Sequence, residues 1–210
     1  MHIAIAGNIG AGKTTLAVLL SKYFGFQTMF EDNEENPYLM DFYTDMPRWS
    51  FNLQVSFLHS RLRKIIDIQQ QKKNVIQDRT IYEDAQIFAP NLHSMGLMTS
   101  RDFETYKQLF LTIADLVEPP DLLIYLRGSI PTLVDQIQNR GREYEDSIRL
   151  DYLKRLNVRY DDWYESYQYG KKMEFSIDQL NFKDDAEHLG IIINKIKAEL
   201  YGLFSQGTLF

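Results

Sequence analysis

The stretch His2-Ile3-Ala4-Ile5-Ala6-Gly7-Asn8-Ile9-Gly10-Ala11-Gly12-Lys13-Thr14 joins a short apolar run to the phosphate-loop pattern G-x-x-x-x-G-K-[ST] at residues 7–14. A strand feeding directly into such a loop predicts a nucleoside triphosphate site in an α/β protein. Triphosphate oxygens need many donors at close range. Glycines at 7, 10 and 12 let backbone N–H groups turn inward without Cβ clashes, and the helix that follows presents its positive end. Lys13 then reaches the β- and γ-phosphates, and the Thr14 hydroxyl ligates Mg²⁺. Gly7, Asn8, Ile9, Gly10, Ala11, Gly12, Lys13, Thr14 and Thr15 are the candidate contacts to the nucleotide.

Outward from the loop, strands alternate with helices. Lys13 to Tyr23 carries Leu16, Val18, Leu19 and Leu20 in a helical pattern that ends at Gly25, and Gln27 to Phe30 reads as a second strand. Phe51, Val55, Leu58, Leu62 and Ile65 recur at steps of three and four, which predicts a long amphipathic helix from Pro47 to about Gln71. Asn74 to Gln77 is a brief strand delivering Asp78. Helices are expected over Tyr82–Leu92 and Ser100–Leu116, a strand over Asp121–Leu126, and a helix over Ile130–Asn139. The charged break Arg140-Gly141-Arg142-Glu143-Tyr144-Glu145 precedes a helix over Ile148–Tyr167, a last strand over Lys172–Ile177 and a last helix over Asp184–Leu203. Such alternation implies a parallel sheet with right-handed crossovers and ligands at the carboxyl ends of the strands.

Composition narrows the class of partner. With 210 residues and 44% hydrophobic side chains, the chain suits one α/β domain, taken as residues 1–210. A formal net charge of −6 and a pI near 5.3 make a poor match to a nucleic-acid backbone. The absence of cysteine excludes disulfides, thiolate metal sites and a cysteine nucleophile. No apolar run approaches the roughly 20 residues of a membrane span. With a strand beginning at residue 2, no leader peptide is expected, and the reading is a soluble, cytoplasmic protein with small phosphorylated ligands.

The residues just after the strands are the ones to examine for chemistry. Asp78 suits a Mg²⁺ partner beside Thr14, or an N-cap for the next helix. Arg79 is a fork donor for phosphate or for orienting a carboxylate. Glu31 could take a proton from an acceptor hydroxyl, although Asp32, Glu34 and Glu35 make this an acidic run that also fits a solvated loop. Arg140 and Arg142 fit a lid closing over a transferring phosphoryl group, or a charged surface turn. Gln54 and Arg61, seven apart, share one stripe of the long helix. Gln54 offers donors and acceptors and Arg61 only donors, which suits a base edge; a solvated helix face is the alternative.

Together these motifs resemble the deoxyribonucleoside kinase family, the group of deoxycytidine, deoxyadenosine, deoxyguanosine and insect-type broad-specificity kinases. The resemblance runs from Gly7 to about Tyr164. It rests on the loop at 7–14, on Arg48-Trp49-Ser50-Phe51 with Gln54 and Arg61, on Asp78-Arg79-Thr80 followed by Asp84 and Phe88, and on Arg140-Gly141-Arg142 with Glu145. It implies a three-layer P-loop NTPase fold with a five-stranded parallel sheet flanked by helices and an arginine-containing lid. It also implies ATP as phosphate donor and Mg²⁺ as metal. By resemblance Glu31 is the catalytic carboxylate, Asp78 the Mg²⁺-linked acid, Arg79 the holder of the 5′ end, and Lys13, Arg140 and Arg142 the phosphate-binding cations. Gln54, Arg61 and Asp84 correspond to the base-reading trio, and Tyr43 and Glu145 to the pair that bonds the sugar 3′-hydroxyl. Trp49, Phe57, Phe88 and Phe110 are candidate walls for the base. Three positions depart from the commonest pattern: Glu31 is followed by Asp32 rather than Pro, Gln136 stands where many members have a third lid arginine, and Asp78 replaces Glu.

The resemblance thus implies ATP-dependent 5′-phosphorylation of a deoxynucleoside, and a homodimer joined through helices. Arg61 and Asp84 offer donors and an acceptor for a purine's N7/N1 side and exocyclic group, so deoxyadenosine is expected before deoxyguanosine. The same trio also serves cytosine in related enzymes. A thymidylate kinase-like enzyme is the nearest alternative, but its monophosphate acceptor wants a cation where this chain offers Glu31. A GTPase switch fits poorly: the Asn-Lys pair is Asn194-Lys195-Ile196-Lys197, and no glycine has Asp three residues before it.

Overall fold

The first strand alternates large and small apolar residues, and that alternation sets the two faces of the sheet. In the computed structural model, which describes residues 1–30, 36–142, 145 and 148–202, β1 (His2–Gly7) turns Ile3 and Ile5 to one face and Ala4 and Ala6 to the other. It pairs in parallel with β3 (Val75–Asp78) on one side and β4 (Leu122–Arg127) on the other. β2 (Gln27–Met29) and β5 (Lys171–Ser176) complete the parallel order β2-β3-β1-β4-β5. The chain leaves β1 toward opposite neighbours at this point, so a crevice opens at its carboxyl end, where the phosphate loop begins.

Helices α1 (Lys13–Phe24), α7 (Ile130–Arg140) and α9 (Ala186–Tyr201) cover the Ile3/Ile5 face with Leu16, Leu20, Leu133, Ile137, Ile192 and Ile196. The opposite face, where β1 offers only alanines, takes larger groups. There α3 (Met46–Gln71), α6 (Ser100–Ala114) and α8 (Leu150–Ser166) bring Leu58, Ile65, Tyr106, Phe110, Tyr160 and Trp163 onto the sheet. Each fully buried aliphatic of these two cores contributes about 1.5–3 kcal/mol. The arrangement is the three-layer P-loop NTPase-like fold that the sequence implies, and each expected strand lies within about two residues of its place.

The long helix keeps its expected span within one residue, and two other local features differ from expectation, each for a physical reason. The long helix begins at Met46 because the Asp45 side chain accepts from the Arg48 N–H and caps it, with Pro47 in its first turn. The expected helix over Tyr82–Leu92 is three pieces: α4 (Ile81–Glu83), a π-helical turn over Asp84–Phe88, and α5 (Ala89–Ser94). Pro90 explains the π turn, since its ring has no N–H to give the carbonyl four residues back and crowds it. Finally α2 (Leu39–Thr44) was not anticipated; six residues are too few to carry a readable period. Among the described residues no helix is long and apolar enough to cross a membrane.

Candidate active site

The phosphate loop is shaped by contacts only glycine allows. Gly10 sits at φ +86°, and a Cβ there would lie 2.6 Å from the Leu133 carbonyl of α7, so the loop can press against that helix only without a side chain. The Asn8 amide donates to the Leu153 carbonyl at 3.2 Å and to Asn157 Oδ1 at 3.1 Å, which ties the loop to α8. Lys13 is buried, and its Nζ donates to the Asn8 carbonyl at 3.0 Å across its own loop. Gln136 of α7 lies close to Gly12.

Asp78 ends β3 directly beside β1, paired with Ile5. The Thr14 hydroxyl donates to its Oδ2 at 2.5 Å, while Oδ1 is buried with no hydrogen-bond partner. Asp78 does not cap the next helix: Thr80 does, through a capping box with Glu83. A hydroxyl beside a carboxylate with one unsatisfied oxygen suits a hard divalent cation such as Mg²⁺, which takes few protein ligands and completes its shell with phosphate oxygens and water. The residues present therefore fit that metal.

Arg79 follows at φ +69°, a left-handed conformation that costs a non-glycine residue about 1–2 kcal/mol. It is buried, its guanidinium lies 4.7 Å from the centre of the Phe88 ring, and Nη1 donates to Glu83 Oε1 at 3.2 Å and to the Tyr160 hydroxyl.

The polar stripe of α3 is not solvated: Gln54 is 2% exposed and Arg61 4%. Arg61 Nε pairs with Asp84 of the π turn, itself buried, and Gln54 Oε1 has no partner. The Arg61 guanidinium lies over the Phe57 ring at 5.3 Å. Gln54, Asp84, Phe57 and Phe88 line one cleft together with Lys13, Thr14, Asp78 and Arg79. Trp49 and Phe110 do not line it. Trp49 packs on Tyr38, with its rings 5.8 Å apart, and Phe110 stands edge-on to Tyr82 in the core.

Arg140 and Arg142 line the same cleft, at the end of α7 and just past its αL cap Gly141, so they are not a free surface turn. Both turn onto Glu145. Arg140 Nε donates to Oε2 at 3.0 Å and Nη2 to Oε1, and Arg142 Nη1 lies 3.7 Å from Oε1. Arg140 and Arg142, expected on phosphate, and Glu145, expected on the sugar, form one cluster in this conformation. Tyr43, on α2, also borders the cleft. Glu31, with Asp32, Glu34 and Glu35, lies outside the described residues, as does the tail from Ser205 to Phe210.

A family model for deoxynucleoside kinase matches residues 3–201. The chain belongs to the deoxynucleoside kinase family. A deoxyadenosine/deoxycytidine kinase of Bacillus subtilis (strain 168) is 34% identical over 201 residues, covering 95% of this chain and 93% of that protein. A deoxyguanosine kinase of Lactobacillus acidophilus is 38% identical over 207 residues, 94% of this chain and 90% of that one. The structure of deoxyadenosine kinase from M. mycoides with bound dATP matches with a TM-score of 0.84 at 30% identity, over 94% of this chain and all of that one.

Sequence reasoning missed several groups of the kinase. Leu39 and Phe42 reach the cleft from α2, and Tyr152 from α8, where burial pushes its hydroxyl pKa up and keeps it protonated. Glu83, fully buried, accepts from the Thr80 N–H at 2.7 Å, from Arg79 and from the Tyr160 hydroxyl at 2.9 Å. Thr80-Ile81-Tyr82-Glu83 has the spacing of a capping box, and that signal could have singled it out.

Proposed function

We propose that this kinase transfers the γ-phosphoryl group of ATP to the 5′-hydroxyl of a purine deoxynucleoside, deoxyadenosine before deoxyguanosine. One observation carries the reading. A single cleft is lined both by the phosphate loop and by buried Gln54 and Asp84, with Arg61 paired to Asp84 behind them, so a triphosphate and a base can share it. Desolvated polar groups discriminate strongly, because a base that fails to pair with them leaves them unsatisfied. The Arg61–Asp84 pair and the free Gln54 carbonyl suit a purine edge with its exocyclic amine. Deoxyadenosine, deoxyguanosine and deoxycytidine kinases all occur among the relatives, in keeping with a trio that accepts more than one base.

The roles follow from the donor set. Lys13 and the loop N–H groups hold the triphosphate, and Thr14 and Asp78 hold Mg²⁺, which when bound neutralises phosphate charge. Arg79 holds the 5′ end, Tyr43 and Glu145 bond the sugar 3′-hydroxyl, and Glu31 accepts the 5′-hydroxyl proton. Arg140 and Arg142 leave Glu145 to grip the phosphoryl group as the lid closes. The whole chain acts as one domain in the cytoplasm. Two copies associate through helices, where α6 exposes Leu109 and Leu111, the turn after it Leu116, and α3 Ile66.

The test is ADP formation from Mg²⁺-ATP with each deoxynucleoside, each ribonucleoside and thymidine monophosphate offered separately. Turnover highest with deoxyadenosine is expected. Highest turnover with deoxycytidine overturns the base assignment alone, whereas turnover with thymidine monophosphate only overturns the reaction.

A further inference from the structure

Glu83 and Tyr160 do not line the cleft, yet both bond Arg79, which does. Both are 0% exposed. A carboxylate removed from water persists only where donors surround it. Glu83 Oε2 accepts from the Thr80 N–H at 2.7 Å and the Thr80 hydroxyl at 3.3 Å, which secures the start of α4. Its Oε1 faces elsewhere. It accepts from Arg79 Nη1 at 3.2 Å, from the Tyr160 hydroxyl at 2.9 Å, and from the Gly7 N–H at 3.5 Å, the first residue of the phosphate loop.

Tyr160 closes the triangle. Its hydroxyl accepts from Arg79 Nη1 while donating to Glu83, so one guanidinium nitrogen is held by two oxygens that also hold each other. The ring is fixed in turn. It lies parallel to Tyr125 of β4, with centroids 6.0 Å apart, and edge-on to Phe88, whose face meets Arg79. Leu153, Asn157 and Tyr160 fall at i, i+4 and i+7 on α8. One face of that helix therefore bonds both the loop residue Asn8 and the Arg79 cluster.

A guanidinium has a long stem, and in a cleft it would sample several directions. Here a backbone in the left-handed region, a ring on one face and two anchored oxygens leave it one. We propose that Glu83 and Tyr160 are positioning residues for Arg79, fixing its direction relative to the phosphate loop and so the way its guanidinium meets the transferring phosphoryl group. The proposal rests on the reading of Arg79 as the holder of the 5′ end. It adds that α8, which follows the lid in the chain, keeps loop and arginine in register.

The experiment is a double-mutant cycle of Tyr160→Phe with Arg79→Lys in the full chain, measuring kcat, KM for ATP and KM for the deoxynucleoside well below Tm. Tyr160→Phe keeps the ring and its packing. Glu83→Gln is harsher, because its amide would set an N–H against the Thr80 N–H, and it serves as a second variant. In the otherwise wild-type kinase, Tyr160→Phe is expected to lower kcat about 10- to 100-fold, the value of one hydrogen bond to a charged group, with KM for ATP within about twofold. In the Arg79→Lys background the same change is expected to alter kcat by less than about twofold, because lysine lacks the fork that is being held. An equal loss in both backgrounds, or no loss in the first, overturns the positioning role. Absence of turnover with any deoxynucleoside by the wild-type chain overturns the functional reading and this proposal with it.

Discussion

Asp78→Asn separates what the Asp78 carboxylate contributes to the fold from what it contributes to the reaction. In the folded chain Oδ2 accepts from Thr14, but Oδ1 is buried and unpartnered. Leaving a buried polar group unsatisfied costs about 1–3 kcal/mol, more when it is charged. Asparagine keeps an oxygen for Thr14 and replaces the buried anion by a neutral amide, whose unpaired NH₂ costs less than an unpaired charge, so the metal-free protein should gain about 1–2 kcal/mol. For a chain of 210 residues that is a rise in Tm of about 2–8 °C. The reaction moves the opposite way. Losing the anion that helps hold Mg²⁺ against the phosphates should lower kcat about 100- to 1,000-fold, or about 2.7–4 kcal/mol of barrier. Two assays read these signs: thermal denaturation in EDTA, and ADP formation across a Mg²⁺ series. Added Mg²⁺-ATP should raise Tm much less in the variant than in the wild type. A variant with wild-type kcat and wild-type Mg²⁺ dependence refutes the metal role. One that loses Tm along with rate refutes the claim that the unpaired oxygen costs stability.

Asp84→Asn keeps the side-chain shape but removes the charge opposite Arg61. It should raise KM for the deoxynucleoside about 10- to 100-fold, the worth of a hydrogen bond to a charged group, while KM for ATP stays within about twofold. Steady-state kinetics with each substrate varied in turn checks this, and an equal rise in both constants would point to general damage. Gly10→Ala meets the Leu133 carbonyl at 2.6 Å with φ +86°, so strain and overpacking together should cost about 2–5 kcal/mol. Gly141→Ala, at φ +65° with nothing within 4 Å, should cost only about 1–2 kcal/mol. Denaturant unfolding of the two variants should reproduce that order.

The layers of the fold were legible because they depend on short-range patterns. A strand of alternating Ile and Ala, a glycine loop that only one conformation suits, and apolar residues at helical spacing each speak for themselves within a dozen positions. What failed to be legible depends on what covers a residue. Periodicity separates the apolar stripe of α3 from its polar stripe, but a solvated stripe and one that lines a cleft have the same spacing. Gln54 and Arg61 proved buried because the π turn that carries Asp84 packs across them, and that turn exists because of Pro90. Six residues of α2 supply Leu39, Phe42 and Tyr43 to the cleft without a detectable period. Glu83 carries the clearest version of this limit. Its bond to Thr80 is three residues long and written in a capping box, whereas its bonds to Gly7 and Tyr160 span 76 and 77 residues and follow no local pattern. A carboxylate with one oxygen committed locally and the other turned to distant donors links a turn to a site. Only the local half of such a residue can be read along the chain.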